Sequence, residues 1–278
     1  MTFLSDSARI DIQAYVLDFC KDNDINLTCC NDDIEKIIFD IGYFLKYEPL
    51  EENVFAYTQH IGNYQYEIVL NTNTLYCTNF KRFCIAHELG HIIIPKHNKI
   101  LMNGNKLVSS KDNIIDNEIE AEADYFAVSL LAPHKRFIEF IKNLGCNKQS
   151  IESISEYFGL SLHSSAIRFI EKTKLTCSMI LINKDKVVDS EYRSKSMYEN
   201  SKGVRSIRKN GVDILSLAYG FLDNQNSVTS KEIPVNIWYS ELNDEISAQE
   251  SIVPLSYCNK TIILLEPNDD EISNYIED

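Results

Sequence analysis

Three of the chain's six histidines fall in one short segment, KRFCIAHELGHIIIPKH at residues 81–97. His87 and His91 are four residues apart in the pattern HExxH, and on a helix this spacing places both imidazoles on one face, one turn apart. Two such imidazoles suit one small metal ion, and Glu88 between them is placed to take a proton from a metal-bound water. Zinc is the expected ion, because it accepts nitrogen and oxygen ligands together and leaves one coordination position open.

The first candidate for a third ligand is His97. It lies ten residues after His87, which is the spacing of the HExxHxxGxxH enzymes. In those enzymes a glycine lets the chain leave the helix and carry the third histidine round. Here that position is Ile94, whose β-branched side chain disfavours such a turn. If His97 does not bind the metal, the sequence predicts a solvated histidine in a loop.

A second helix offers carboxylates for the same role, in the segment NEIEAEADYFAVSLLAP at 117–133. Glu120 from this helix would complete a His₂Glu site. Asp124 lies four residues further on, on the same helix face, and is predicted to hydrogen-bond the far nitrogen of a ligand histidine. Glu118 and Glu122 are the near alternatives, although Glu122 lies about 200° round the helix from Glu120 and cannot share its role.

The composition argues against membrane proteins and non-specific DNA-binding proteins. The net charge of −14 over 278 residues makes the chain a poor partner for duplex DNA or an anionic membrane. No apolar run approaches the ~18 residues that a membrane-spanning helix needs. The first residues do not resemble a signal peptide, and the eight cysteines are scattered without a CxxC pair, as reduced thiols are. We therefore expect a cytoplasmic protein without a membrane partner.

The hydrophobic patterns predict a mostly helical first region with one hairpin, followed by a mixed region from residue 175, and hence an α+β fold. The hairpin is expected at 54–60 and 64–70, and a polar loop at 98–113. Helices are predicted at 7–22, 31–48, 79–94, 118–131, 134–144, 148–158 and 159–174. In the second region, strands are predicted in CSMILINKDKVVDSEYRS, IPVNIWYSEL and KTIILLEP, and a helix in GVDILSLAYGFLD.

The pair of motifs RFCIAHELGHIII and EAEADYFAVSLLAP resembles the ImmA/IrrE family of metallopeptidases. YEPLEE with the hairpin, and ISEYFGLSLHSSAIRFIE, also fit that family, so the resemblance covers roughly residues 35–172. It implies a zincin-like, mostly helical domain with a small antiparallel sheet, in which His87, His91 and Glu120 bind Zn²⁺ and Glu88 is the base. It also implies a substrate, a helix-turn-helix repressor protein whose cleavage relieves repression in stress, mobile-element or phage-defence control.

The end of the chain carries a weaker resemblance. ISAQESIVPLSYCNKTIILLEP resembles the last part of longer ImmA/IrrE proteins, in which a GAF-like sensor domain follows the protease. This implies a metallopeptidase domain at 1–174 and a small α/β sensor-type domain at 175–278 that gates cleavage. The segment 153–172 has the rhythm of a helix-turn-helix, and it either packs within the first domain or reads DNA.

A basic segment, YRSKSMYENSKGVRSIRKNG at 192–211, stands out in this acidic chain. It is a candidate anion site for single-stranded nucleic acid or a small-molecule activator, and the alternative is a solvated loop. Its basic residues are Arg193, Lys195, Lys202, Arg205, Arg208 and Lys209.

Cys84 stands where the family usually has threonine, three residues before His87. A thiolate there would bind or block zinc as a redox-sensitive gate, whereas the alternative is a small buried apolar side chain.

The HExxH motif and its neighbours therefore predict a zinc-dependent endopeptidase, and the family resemblance implies that it cleaves a repressor. Two other classes stay open. One is a non-proteolytic binding module, or anti-repressor, with a structural metal site. The other is a DNA-binding regulator that uses 153–172. A closed structural metal site would need a fourth protein ligand.

Overall fold

The computed structural model describes residues 4–25, 33–74, 77–110, 117–201, 212–222, 228–255 and 259–268. Over these residues it is a mixed α+β protein with ten α-helices and two β-sheets, which confirms the predicted class. The chain divides into two compact units, Met1–Phe137 with Tyr157–Leu160, and Ile138–Glu156 with Ser161–Asp278. These units divide the chain at other points than 174/175, and the domain boundary there stays a prediction.

The first half of the chain contains four strands and most of the helices. Its elements are α1 Asp6–Asp22, α2 Ile34–Asp40, β1 Phe44–Glu48, β2 Val54–Gly62, β3 Gln65–Asn71, α3 Thr78–Ile93, α4 Pro95–Met102, β4 Lys106–Ser110, α5 Asn117–Leu131 and α6 His134–Ile141. The strands form one sheet in the order β1-β3-β2-β4, in which β1 runs parallel to β3 and the other pairs are antiparallel. Helix α3 packs against β2, β3 and α5.

Close packing of α3 on α5 depends on Gly90. A Cβ atom at this position would lie 3.1 Å from Cδ1 and 3.2 Å from Cβ of the buried Phe126 on α5. Glycine therefore lets the two helix backbones approach, and α3 is buried from Cys84 to Ile92, the stretch that carries the HExxH motif.

The predicted hairpin is present as β2 and β3. Asn63 and Tyr64 at its tip have positive φ values of 51° and 58°, as a two-residue type I′ turn requires. The helix predicted through residue 48 is wrong, because α2 ends at Asp40 and the chain turns at Gly42 with φ 81° into strand β1. Strand β1 lies at the sheet edge and is mostly exposed, so it lacks the alternating pattern by which a strand is recognised.

The polar loop predicted at 98–113 is also wrong over its described residues. Helix α4 continues to Met102, and Lys106–Ser110 form β4, which pairs with β2. Strand β4 is short and polar, so its composition does not favour a strand. Its pairing with β2 stabilises the extended conformation instead. Leu107 and Ser109 are buried on one of its faces.

The second unit is built on a five-stranded antiparallel sheet in the order β6-β5-β9-β8-β7. The remaining elements are α7 Lys148–Phe158, α8 Leu162–Lys172, β5 Ser178–Asn183, β6 Val188–Arg193, α9 Lys195–Asn200, α10 Leu217–Leu222, β7 Ser230–Pro234, a 3₁₀ turn Val235–Ile237, β8 Ser247–Leu255 and β9 Lys260–Pro267. Helix α8 packs against β5, β6 and β8.

Two features of this sheet differ from the sequence prediction. The strand expected in IPVNIWYSEL ends at Pro234, where the chain enters the 3₁₀ turn, and β8 was not predicted. Trp238 follows the turn and is fully buried in the core, where its indole Nε1 donates a 2.9 Å hydrogen bond to Oε1 of Glu250 on β8. Oε1 also accepts from Ser216 Oγ at 2.7 Å, and Oε2 accepts from the backbone N–H of Leu217 at 2.7 Å. This buried carboxylate therefore ties α10 and the 3₁₀ turn to the sheet.

Candidate metal centre

The structure brings His87, His91 and Glu120 together, with ligand atoms that all lie within 4.8 Å of one another. The two Nε2 atoms are 3.1 Å apart. The carboxylate oxygens of Glu120 lie 3.4 Å from His87 Nε2 and 3.5 Å from His91 Nε2. A tetrahedral zinc with bonds of ~2.0–2.1 Å holds its ligand atoms ~3.3 Å apart. The triangle therefore has the size that zinc requires, and within the part of the chain that the structure describes it is the only such group of three.

Asp124 holds the other side of His87. Its Oδ1 lies 2.8 Å from Nδ1 of His87, one helical turn beyond Glu120 on α5. A proton on Nδ1 donates to this carboxylate and leaves Nε2 free for the metal, which is the usual support for a ligand histidine.

His97 is not the solvated loop histidine that the sequence predicts. It is fully buried in the first turn of α4, and it lies outside the ligand triangle. Its Nδ1 is 3.2 Å from Nδ1 of His91, and its Nε2 is 3.0 Å from Oε2 of Glu122. Glu122 and Glu118, the alternative third ligands, both form ion pairs with Lys96, at 2.7 Å and 3.2 Å.

The electrostatics of the three histidines differ. Burial alone would lower the pKa of His87, but hydrogen bonds to Asp124 and Glu120 outweigh burial and raise that pKa well above its ordinary value. Burial, with neighbouring His87 and His97, lowers the pKa of His91 well below its ordinary value. Burial, with neighbouring Lys96, lowers the pKa of His97 to about 3. His91 and His97 are thus neutral at pH 7, whereas without a metal His87 holds a proton that a metal must displace.

Glu88 is fully buried next to His87 in the chain, and two strands hold its carboxylate. Oε1 accepts a hydrogen bond from Ser109 Oγ on β4, and Oε2 accepts one from Thr58 Oγ1 on β2, both at 2.6 Å. Burial raises the pKa of Glu88 to about 7, although His87 and the two hydroxyl groups act in the opposite direction. A carboxylate with this pKa can both accept and return a proton near neutral pH. The sequence analysis did not identify Thr58 or Ser109.

Cys84 is buried, with 6% of its surface exposed. Burial, followed by the charge of Glu88, raises the pKa of its thiol well above the ordinary value. The group is therefore a thiol and not a thiolate at neutral pH. This environment favours the alternative of a small apolar side chain over the redox gate.

The basic segment is described only in part. Arg193 donates to Glu191 Oε1 at 2.5 Å, and its guanidinium lies over the ring of Tyr239 at 4.9 Å. Lys195 forms an ion pair with Glu199 at 3.8 Å. Arg193 thus serves the packing of the second unit, and the anion site stays a prediction. The other basic residues of the segment, Lys202, Arg205, Arg208 and Lys209, lie outside the described residues.

The helix-turn-helix rhythm of 153–172 corresponds to α7 and α8, joined at Gly159 with φ 62°. None of the residues of α8 is exposed, and its inner face packs against the five-stranded sheet. A recognition helix must present exposed side chains to the major groove. The structure therefore favours the packing interpretation of this segment.

Part of the chain matches a known protein family. Residues 43–169, a range that includes His87, Glu88, His91 and Glu120, match the family model Peptidase_M78, described as the IrrE N-terminal-like domain. A solved structure, a Mycobacterium tuberculosis transcriptional regulator, is similar over 92% of this chain and 75% of its own, with a TM-score of 0.51 and 12% identity, and this likeness concerns the fold alone. No curated protein sequence matches the chain. None of the described helices combines the length and apolar character of a membrane span. The match over 43–169 supports the ImmA/IrrE family for this part of the chain.

Proposed function

We propose that the protein is a zinc-dependent endopeptidase. The observation that carries the proposal is the zinc-sized triangle of His87, His91 and Glu120 beside a buried carboxylate, Glu88, whose pKa is about 7. Zinc held by the triangle would supply Lewis acidity toward the scissile carbonyl and the attacking water. Glu88 takes the proton of that water and returns it to the leaving amine, which completes hydrolysis of the peptide bond. Thr58 and Ser109 fix the two oxygens of Glu88 for this transfer.

The number of donors favours a catalytic site over a structural one. A structural zinc site needs four protein ligands, whereas a catalytic site has three and an open position. Among the described residues the group has three members. Cys84 is a buried thiol, and His97 lies between His91 and Glu122. The peptidase is therefore favoured over the anti-repressor with a structural metal. The DNA-binding regulator is disfavoured because no residue of α8 is exposed.

We further propose a helix-turn-helix repressor as the substrate, so that cleavage relieves repression. The support is the family match over 43–169, together with the resemblance of the HELGH and EAEAD motifs. In the same proposal, residues 1–174 form the peptidase domain and residues 175–278 form a regulatory domain of GAF-like sensor type that gates cleavage in the cytoplasm.

The test is co-expression with a helix-turn-helix repressor encoded beside this gene, which is where the family resemblance suggests that the substrate is found, followed by intact mass measurement. Wild type should give two fragments whose masses sum to that of the repressor plus one water. Glu88→Gln is the matched control, because it keeps the shape of the side chain and the three ligands but loses the base. Zinc content of this variant should equal that of wild type while cleavage is lost. Relief of repression with an uncut repressor by both proteins would refute the peptidase and establish an anti-repressor.

A further inference from the structure

Both ring nitrogens of His91 have partners. Nε2 belongs to the ligand triangle, and Nδ1 lies 3.2 Å from Nδ1 of His97. An imidazole that binds a metal through Nε2 carries its proton on Nδ1, and this buried proton needs an acceptor. His97 supplies a nitrogen in that place, and a neutral ring that accepts at Nδ1 must carry its own proton on Nε2. That nitrogen is 3.0 Å from Oε2 of Glu122.

The chain of hydrogen bonds thus has one consistent direction. His91 donates from Nδ1 to His97, His97 donates from Nε2 to Glu122, and Lys96 Nζ at 2.7 Å holds the other oxygen of that carboxylate. The corresponding chain at His87 has no intermediate residue, since Asp124 accepts directly from its Nδ1. Each ligand histidine is therefore supported by a carboxylate of α5, one directly and one through His97.

A break in the helix makes this arrangement reachable. On an uninterrupted helix, a residue six positions after His91 would lie about 240° round the axis, away from it. The chain leaves the helix at Ile94, which has extended backbone angles of −69° and 119°, and α4 begins at Pro95. The break returns His97 to His91, and His97 has no solvent exposure.

We propose that His97 is a positioning residue of the metal centre, which fixes the tautomer and ring orientation of His91 by linking it to Glu122. The inference rests on the metal-binding part of the proposed function and is independent of peptidase activity. Partners of this kind contribute about 10–100-fold to metal affinity.

Two substitutions of His97 separate this role from simple packing. His97→Phe keeps a planar ring but removes the acceptor. His97→Asn is smaller, yet its Oδ1 occupies the place of Nδ1 and can accept from His91. The dissociation constant for zinc is measured by competition with a chromophoric chelator. The visible absorption of the Co²⁺-loaded protein and the thermal unfolding of the metal-free protein are measured beside it.

The expected result is a zinc dissociation constant raised about 10–100-fold in His97→Phe and largely restored in His97→Asn. The Co²⁺ bands should shift in the first variant and return in the second. Equal weakening in both variants would assign His97 to packing and overturn the inference, as would unchanged affinity in His97→Phe. If His97→Phe does not fold, Glu122→Gln takes its place, and unchanged zinc affinity in that variant overturns the inference too. A wild-type protein that binds no zinc would instead refute the proposed metal centre itself.

Discussion

The two hydroxyl groups that hold Glu88 can be removed singly by Ser109→Ala and Thr58→Val. Each variant deletes one 2.6 Å hydrogen bond to the buried carboxylate and leaves His87, His91 and Glu120 unchanged. A hydrogen bond to a charged group contributes about 1.5–3 kcal/mol. Both hydroxyls favour the ionised form, so their loss raises the pKa of Glu88 by about one to two units, at 1.36 kcal/mol per unit.

The consequence is a displaced pH profile. The pKa of Glu88 is about 7, so about half of the groups are ionised at pH 7. After an upward shift of one to two units, about a tenth to a hundredth remain ionised. At a pH equal to the wild-type pKa, kcat/KM should therefore fall about 5–50-fold, and it should recover above the shifted pKa. Bound zinc, as a nearby positive charge, lowers the pKa in wild type and variants alike, so the displacement of the acid limb is the tested quantity.

The assay is cleavage of the repressor across the pH range in which the fold is intact. Ser129→Ala, a buried serine of α5 outside the hydrogen bonds of Glu88, is the matched control and should leave the profile unchanged. Activity reduced by the same factor at every pH would show that Ser109 and Thr58 only position the carboxylate. An acid limb that stays in place in both variants, with zinc content preserved, would refute the reasoning.

Three further results are expected. Because the pKa of His87 is raised without a metal, zinc binding should release about one proton at neutral pH, and affinity should increase with pH; calorimetry in buffers of different ionisation enthalpy measures this. Gly90→Val should force α3 from Phe126, lower stability by about 1–3 kcal/mol and weaken zinc binding, as thermal unfolding and chelator competition would show. Glu250→Ala leaves three buried donors without their acceptor and should cost at least ~3 kcal/mol, measured by urea unfolding through the fluorescence of Trp238, the single tryptophan.

The spacing of residues along each helix was sufficient to predict which candidate site residues share a helix face. His87, Glu88 and His91 follow from one helical turn, and Glu120 and Asp124 follow from the periodicity of a second helix. The sequence could not show that the two helices meet, because that contact depends on the fit of Gly90 against a residue of α5. The resemblance to a family supplied this step, and the roles of the residues stay predictions.

Residues that the sequence did not place correctly owe their positions to tertiary structure. Thr58 and Ser109 reach Glu88 from strands β2 and β4. Strand β4 is too short and polar to be predicted from its own sequence. The sequence predicts a solvated loop histidine at position 97, because most histidines that follow a predicted helix in this way are of that kind. The burial of His97 results from the break in the helix at Ile94. Hydrophobic periodicity in the sequence does not predict such a break.

The acids of the EAEAD motif share α5 but differ in what they contact, and this difference can be measured. Glu120 belongs to the triangle with His87 and His91, Glu122 contacts His97, and Asp124 contacts His87. Their side chains are 13%, 7% and 56% exposed, respectively. Glu120→Gln should therefore weaken zinc binding most, since it removes a charged ligand. Glu122→Gln should follow, with a loss of about 10–100-fold. Asp124→Asn should cost least, because its amide Oδ1 can still accept from His87 and the position is exposed to water. Chelator competition on the three variants gives this order, and a smaller loss for Glu122→Gln than for Asp124→Asn would contradict the contacts through which we explain the motif.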